Sequence, residues 1–398
     1  MKYDFDSIVE RRNTGCFKWD RNKVTFGREK VLPMWVADMD FPSPQPVIEA
    51  VKKRAEHGVF GYAFATDSCY EAVIEKVERA YNWKIKKEWI VFCDGIVPAL
   101  YSSVKAFTNI GDRVIIQQPV YHPFRFAIQD NGREIANNKL KFDGERYEMD
   151  FADLKMQFNG SNPAEKSSKA KMFILCNPHN PVGRVWTKEE LIKLGEECIK
   201  NNCIVIADEI HCDLVYKPAE HTCFASINQE FENNSITFIA PSKTFNVAGL
   251  SEAVAIIPNA SLRDSFIAAR AGNNSGNVFG YTALEAAYRY GDEYLSQLLQ
   301  YLKGNIDYVI KYVEDNIPKI KVIKPEGTYL LWVDMRGLGL SSEELNTFLI
   351  EEAGLGLNDG RMFGEGGGGF QRVNIGCPRK FVEEALIKLK DAIERRNL

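Results

Sequence analysis

The sequence predicts an α/β fold with a mainly parallel sheet. Three observations carry the prediction. Between residues 46 and 284, apolar runs of strand length alternate with helical stretches. The runs are continuous rather than alternating, as expected where helices cover both faces of a sheet. Polar and ionisable residues gather just after the runs, at the ends where an open parallel sheet binds its ligands.

Taken in order, Pro46 sits at a first helical position. Val47, Ile48, Val51 and Ala55 mark one face of the helix, and Gly58 ends it. WIVFCDG (89–95) reads as a buried strand and runs into the helical PALYSSVKAF. RVIIQQP (113–119) is another strand, and HPFRFAIQDNG a helix with its stop. KMFILCNP (171–178) is a third strand, followed by the amphipathic helix KEELIKLGEECIKNN (188–202). CIVIADE (203–209), ITFIAPS (236–242) and AVAIIP (253–258) complete the set. From about 285 the character becomes α+β. A long helix over 284–316 precedes the strands KVIKP and TYLLWVDM, a helix SSEELNTFLIEEA, the strand FQRVNIG and a C-terminal helix from 379. The first 45 residues, rich in aromatics and prolines, do not read as strand–helix units and are expected to cross to the second part or to a partner subunit. The expected division is a large domain over 46–284, with 1–45 and 285–398 forming a smaller one. GEGGGG (364–369) reads as a flexible loop at the rim of a site.

Bulk features narrow the function. The chain has 398 residues, 45% hydrophobic and 26% charged, enough for a large core and too apolar for general disorder. Its 50 Lys and Arg against 54 Asp and Glu give a net charge of −4, against a general nucleic-acid binder. No apolar window is long enough to span a bilayer, and MKYDFDSIVERR lacks a leader's apolar stretch, so a cytoplasmic protein is expected. The nine cysteines are scattered with no CxxC. His211, Cys212, His221 and Cys223 match no common zinc spacing, so no metal is expected. There is no GxGxxG after the first strand and no GxxxxGK[ST], which disfavours a dinucleotide or P-loop enzyme.

The strand ends supply a different chemistry. Gly95-Ile96-Val97 opens a helix whose free amides suit an anion. Asn180 follows the third strand, Asp208 and His211 the next, and Ser242 and Lys243 the one after. Each has an ordinary alternative: Asn180 as a turn cap, Asp208 as a satisfied strand-end carboxylate, Lys243 as a solvated loop residue. Together they fit a pyridine aldehyde carrying a phosphate. A desolvated lysine offers a neutral amine for a Schiff base, and a carboxylate keeps a ring nitrogen protonated. Asn180 and His211 are candidates for the ring oxygen, and Tyr121 for the ring face. The Ile96 and Val97 backbone, Ser242 and Tyr62 are candidates for the phosphate. Arg372, in FQRVNIG, offers a fork for an amino-acid carboxylate. Pyridoxal 5′-phosphate (PLP) fills these roles better than any other cofactor.

FGY (60–62), PVYHP (119–123), NPHNPVG (177–183), ADEIH (207–211), SKTFNVAGL (242–250) and RVNIGCPR (372–379) resemble the motifs of fold-type I PLP enzymes of the class I/II aminotransferase superfamily, over nearly the whole chain. The resemblance implies Lys243 as the cofactor lysine, Asp208 as partner of the pyridine nitrogen, Asn180 at the ring oxygen and Tyr121 stacked on the ring. It implies Tyr62 at the phosphate of a neighbouring subunit, Arg372 at the substrate carboxylate and Ala37 in a segment closing over that carboxylate. A homodimer follows from the role of Tyr62. WVADMDFPSP (35–44), His211 in DEIH and NIGCPR look most like the carbon–sulfur β-lyases of the MalY and PatB type, similar to cystathionine β-lyase. That implies β-elimination of a thiol from L-cystathionine or a related cysteine S-conjugate, giving pyruvate and ammonia. Lys243 is then the base at Cα, with Tyr121 assisting. An aminotransferase uses the same residues, and a non-catalytic PLP-binding regulator is a third reading. Two positions depart from the wider superfamily. Ala240 replaces the first serine of Ser-x-Ser-Lys, and Ser251 stands where many relatives carry a phosphate-binding arginine.

Overall fold

Six of the apolar runs, joined by one strand that the pattern did not announce, make a seven-stranded sheet in the computed structural model, which describes residues 3–159, 169–270 and 276–398. The strands are β1 (Ile90–Cys93), β2 (Arg113–Ile116), β3 (Glu134–Asn137), β4 (Ala170–Cys176), β5 (Ile204–Asp208), β6 (Ser235–Ile239) and β7 (Ala253–Ile256). Their order across the sheet is β1-β7-β6-β5-β4-β2-β3. All neighbours pair in parallel except β7, which is antiparallel to both β1 and β6. β3 escaped notice because EIAN is short and only one of its residues is buried. Several strands are shorter than their apolar runs: β2 stops at Ile116, before Gln117, Gln118 and Pro119.

Helices α1 (Gln45–Glu56), α2 (Asp67–Tyr81), α3 (Ile96–Phe107), α4 (Pro123–Gln129) and α5 (Lys188–Lys200) come from the same part of the chain. α5 starts with a reciprocal capping box between Thr187 and Glu190, which satisfies two of the amides left open at a helix start. The long helix expected over 284–316 is two helices, α6 (Val278–Tyr290) and α7 (Asp292–Asn316), divided at Gly291. A Cβ there would meet the Phe245 ring at 2.3 Å and the Ala287 carbonyl at 2.4 Å. The chain turns where only glycine fits against Phe245. α6 packs on α1 and α2.

A second, antiparallel sheet has the order β8-β9-β11-β10, from β8 (Lys321–Ile323), β9 (Leu330–Asp334), β10 (Asn358–Asp359) and β11 (Phe370–Asn374). α7 and the C-terminal helix α8 (Arg379–Arg396) pack together beside it. The N-terminal segment docks here, Leu32–Pro33 pairing in parallel with Leu355–Gly356. The glycine-rich stretch 364–369 is tethered, with Glu365 N–H donating to Gln118 at 2.9 Å and its carboxylate 2.9 Å from Lys139. All nine cysteines are unpaired, and all but Cys16 are buried. Among the described residues no helix is long and apolar enough to cross a membrane.

Candidate active site

The carboxyl ends of β1, β4, β5 and β6 open on one cavity. Because β7 runs the other way, the residues that precede it reach the same edge. Ala37, Ile96, Val97, Tyr121, Asn180, Asp208, His211, Ser242 and Lys243 all line it. Asp94, Cys176, Ile210, Ser251 and Glu252 line it too. Sequence reasoning gave Asp94, Cys176, Ile210 and Glu252 no role and placed Ser251 where many relatives bind the phosphate; Asp94 and Glu252 each abut an apolar strand, a signal that would have found them. The glycine-rich stretch 364–369, expected at the rim, is not on the wall. Tyr62 projects fully into solvent, away from the cavity of its own chain.

Each wall residue is held by local structure. β1 ends in Asp94 and Gly95, and Gly95 takes φ +140°, a conformation open to glycine, at the start of α3. No acidic residue occupies the first turn of α3, so its amides face the cavity without a carboxylate neighbour on their own helix. Asp208 continues β5 opposite Cys176 of β4. Among the described residues, one hydrogen bond reaches its carboxylate, from Ile210 N–H at 3.2 Å. Burial pushes Asp208 up to about 7, with Ile210 N–H and Lys243 drawing it back.

Lys243 lies in the short helical turn Pro241–Thr244 after β6. Its Nζ donates to the Ala37 carbonyl at 2.7 Å. Burial draws the amine down to about 8, helped by Arg372 and opposed by Asp38 and Asp208. Its chain neighbour Thr244 donates to Asp213 at 3.1 Å, and Asp213 pairs with buried Lys76 at 2.7 Å. This ion pair fixes the turn that carries the lysine. His211 stands edge-on to Tyr329, and its buried Nδ1 has no hydrogen-bond partner among the described residues. Burial, with Lys243 and Arg372 nearby, lowers it to about 3, so the ring is neutral. Tyr121 packs edge-on against Phe124, and burial raises its phenol.

Arg372 on β11 stands behind Asn180. Its guanidinium donates to Asn180 Oδ1 at 3.0 Å, Asn358 Oδ1 at 2.6 Å and the Trp35 carbonyl at 2.9 Å, while buried Nε has no partner among the described residues. Burial lowers it to about 10, so it remains a cation. The segment from Trp35 to Phe41 is gripped from both sides. Asn374 donates to the carbonyls of Val36 and Asp38, Tyr329 to Ala37 at 3.0 Å, and Asn246 to Met39 and Phe41 at 2.9 and 2.8 Å. Arg11, Lys18 and Trp19 converge on Asp40 at 2.6, 2.6 and 2.9 Å and anchor the same stretch. Asn358 and Tyr329 were invisible in the sequence, and Trp35 stood out only as the start of WVADMDFPSP, because their roles arise from contacts across long chain separations.

The donor set suits PLP. A buried carboxylate short of partners can face a ring N–H⁺, and the unpartnered His211 nitrogen and the Asn180 amide can face a ring oxygen. Open helix amides beside Ser242 can face a phosphate.

The aminotransferase class I and II family model matches residues 29–389. The chain is 41% identical over 392 residues to cystathionine beta-lyase PatB of Bacillus subtilis (strain 168), covering 98% of this chain and 100% of that protein. The crystal structure of cystalysin from Treponema denticola, which contains a pyridoxal 5′-phosphate cofactor, matches with a TM-score of 0.95 and 36% identity over 100% of both chains. The PLP-bound C-S lyase from Staphylococcus hominis matches with a TM-score of 0.90 and 32% identity over 98% of both chains.

Proposed function

The chain belongs to the class I and II aminotransferase family, and from that premise we propose how its residues carry out a carbon–sulfur β-lyase reaction. The protein is a PLP-dependent β-lyase that eliminates a thiol from L-cystathionine or related cysteine S-conjugates. The observation that carries the residue assignment is the placement of a half-buried amine, Lys243, and a buried carboxylate, Asp208, at adjacent strand ends of one cavity.

When bound, PLP supplies an aldehyde for an amine and a ring that takes up the electron pair left at Cα. Lys243 would hold the cofactor through its amine and, with that amine free, would be the base at the Cα proton. An amine lowered to about 8 is partly neutral at physiological pH, as that task requires. The Ala37 carbonyl orients it through the 2.7 Å hydrogen bond. Asp208 holds a proton on the ring nitrogen, and Asn180 and neutral His211 orient the ring oxygen. Tyr121 covers the ring face and assists the leaving sulfur. Arg372 binds the substrate carboxylate with its fork, beside Ala37. The Cβ–S bond breaks with its electrons on sulfur, an easy departure because a thiol has a pKa near ~8.5. The enamine set free hydrolyses to pyruvate and ammonia.

The amides of Ile96 and Val97 with Ser242 hold the phosphate. Tyr62, exposed here amid exposed Val59, Phe60 and Phe64, is assigned to the phosphate of a neighbouring subunit, which makes the working unit a homodimer. The large sheet with 46–284 is proposed as the cofactor-holding domain, and 1–45 with 285–398 as the smaller one. The site of action is proposed to be the cytoplasm.

Purified protein given L-cystathionine and no keto acid should release pyruvate and thiol in equal amounts. A strict requirement for a keto acid would place it among transaminases instead. Lys243→Ala should abolish turnover and the Schiff-base absorbance, and normal pyruvate release by that variant would overturn the assignment.

A further inference from the structure

The phosphate end of the cavity presents a charge problem. Ser251 stands where a cationic clamp is absent, and the next residue is an acid. Glu252 immediately precedes β7, whose Ala253 pairs with Cys93, so the reversed strand sets Glu252 beside Asp94 and the start of α3. Its side chain is 4% exposed and lines the same cavity as Gly95, Val97 and Ser242. Among the described residues neither carboxyl oxygen has a well-formed hydrogen bond, the Asn277 backbone N–H being the one donor that leans on the group. The group is also pinned. A Cβ on Gly276 would lie 2.3 Å from Oε2, and one on Gly280 2.6 Å, so only glycines let the start of α6 close over it. A buried ionised carboxylate without a partner is costly, and more so beside a phosphate dianion.

We propose that Glu252 is a phosphate-subsite residue, a neutral carboxylic acid whose O–H donates to the cofactor phosphate in place of a cationic clamp. This rests on the PLP reading above and adds to it a residue with no earlier assignment. Every charged or titratable group facing Glu252 bears on its proton. Burial pushes it up to about 9, Asp94 after β1 adds to this, and the Asn277 amide and Arg270 offset it in part. Cys93 on β1, Cys69 on α2 and Tyr288 on α6 are themselves pushed up and neutral, so none supplies a counter-charge. Above the carboxyl's own pKa in the cofactor-free protein, binding the phosphate then requires uptake of one proton. Affinity falls with rising pH, approaching roughly tenfold per unit.

The test measures cofactor dissociation constants by ultrafiltration and absorbance between about pH 7 and pH 10 for the full-length protein, Glu252→Gln and Glu252→Ala. Two probes are used: PLP, and pyridoxal, which lacks the phosphate. At pH 7, Glu252→Gln keeps a donor and should bind PLP within about threefold of the parent, while Glu252→Ala loses at least about tenfold. Above pH ~9 the parent should lose PLP affinity relative to Glu252→Gln, whereas pyridoxal binding should run parallel in the two. Parallel PLP profiles, or equal effects on pyridoxal, would overturn the role of Glu252 and leave the PLP reading intact. A parent protein that takes up no PLP at any pH would overturn both.

Discussion

Arg372→Lys removes a fork and keeps a charge, which makes it the sharpest probe of substrate binding. The guanidinium spends its two terminal nitrogens on Asn180, Asn358 and Trp35, and these bonds aim the plane of the group. The donors left over, Nε–H and one N–H of the nitrogen on Asn180, can give a substrate carboxylate up to two bonds, whereas an ammonium offers a point charge. A hydrogen bond to a charged group is worth about 1.5–3 kcal/mol net. Losing one of the pair therefore costs about 1.5–3 kcal/mol, or roughly 10- to 150-fold in kcat/KM at ~1.36 kcal/mol per factor of ten. Lysine is preferred to alanine because alanine would also strand the Asn180 and Asn358 oxygens and mix a folding defect into the result. The assay is pyruvate release from L-cystathionine under initial-rate conditions, with cofactor absorbance as a check that the site is filled. A variant within about threefold of the parent, fully loaded with PLP, would refute the assignment of Arg372 to the carboxylate.

Other consequences are as direct. Lys76→Met leaves Asp213 buried without its 2.7 Å partner and should lower stability by about 3–5 kcal/mol in urea titrations. Lys76→Met with Asp213→Asn should recover part of that loss, and equal losses would show that the pair is not the cause. Around Asp40, burial favours the neutral acid, but Lys18, Trp19 and Arg11 outweigh it and hold the carboxyl below its ordinary 3.8. The stability this contributes is fully present above pH 3.8 and lost as pH falls through the lower folded value, so Asp40→Asn should flatten the acid limb of a melting-temperature profile. Gly195→Ala puts a Cβ 2.3 Å from the Phe231 ring and should destabilise by about 1–3 kcal/mol, measured by thermal melting.

The α/β class and the succession of buried strands along the chain were legible because strands covered on both faces leave unbroken apolar runs. IVIAD and SITFI are such runs, and both are buried almost throughout. β3 was not legible, being short and at an edge. The break at Gly291 was not either, since apolar spacing carries across it and the close approach of Phe245 to Gly291 comes from tertiary packing. In the site, Asp208 and Lys243 stood out as ionisable residues abutting apolar strands. The direction of β7 could not be read from AVAI, and without it Glu252 had no place at the cavity. The partners of Arg372 come from Trp35 and Asn358 as well as Asn180, and nothing local in the sequence links them.

The burial of eight cysteines bears on what the enzyme makes. Elimination releases a sulfur nucleophile next to a protein that carries nine sulfhydryls of its own. Exchange between a thiol and a disulfide needs an approachable thiolate, and burial pushes up Cys69, Cys93, Cys176, Cys198, Cys212, Cys223 and Cys377. Only Cys16, half exposed in the N-terminal segment, is open to capture. The catalyst is thus insulated from its own product: Cys176 on the cavity wall is held as the poorly reactive thiol, and oxidised effluent can decorate the one outlying position.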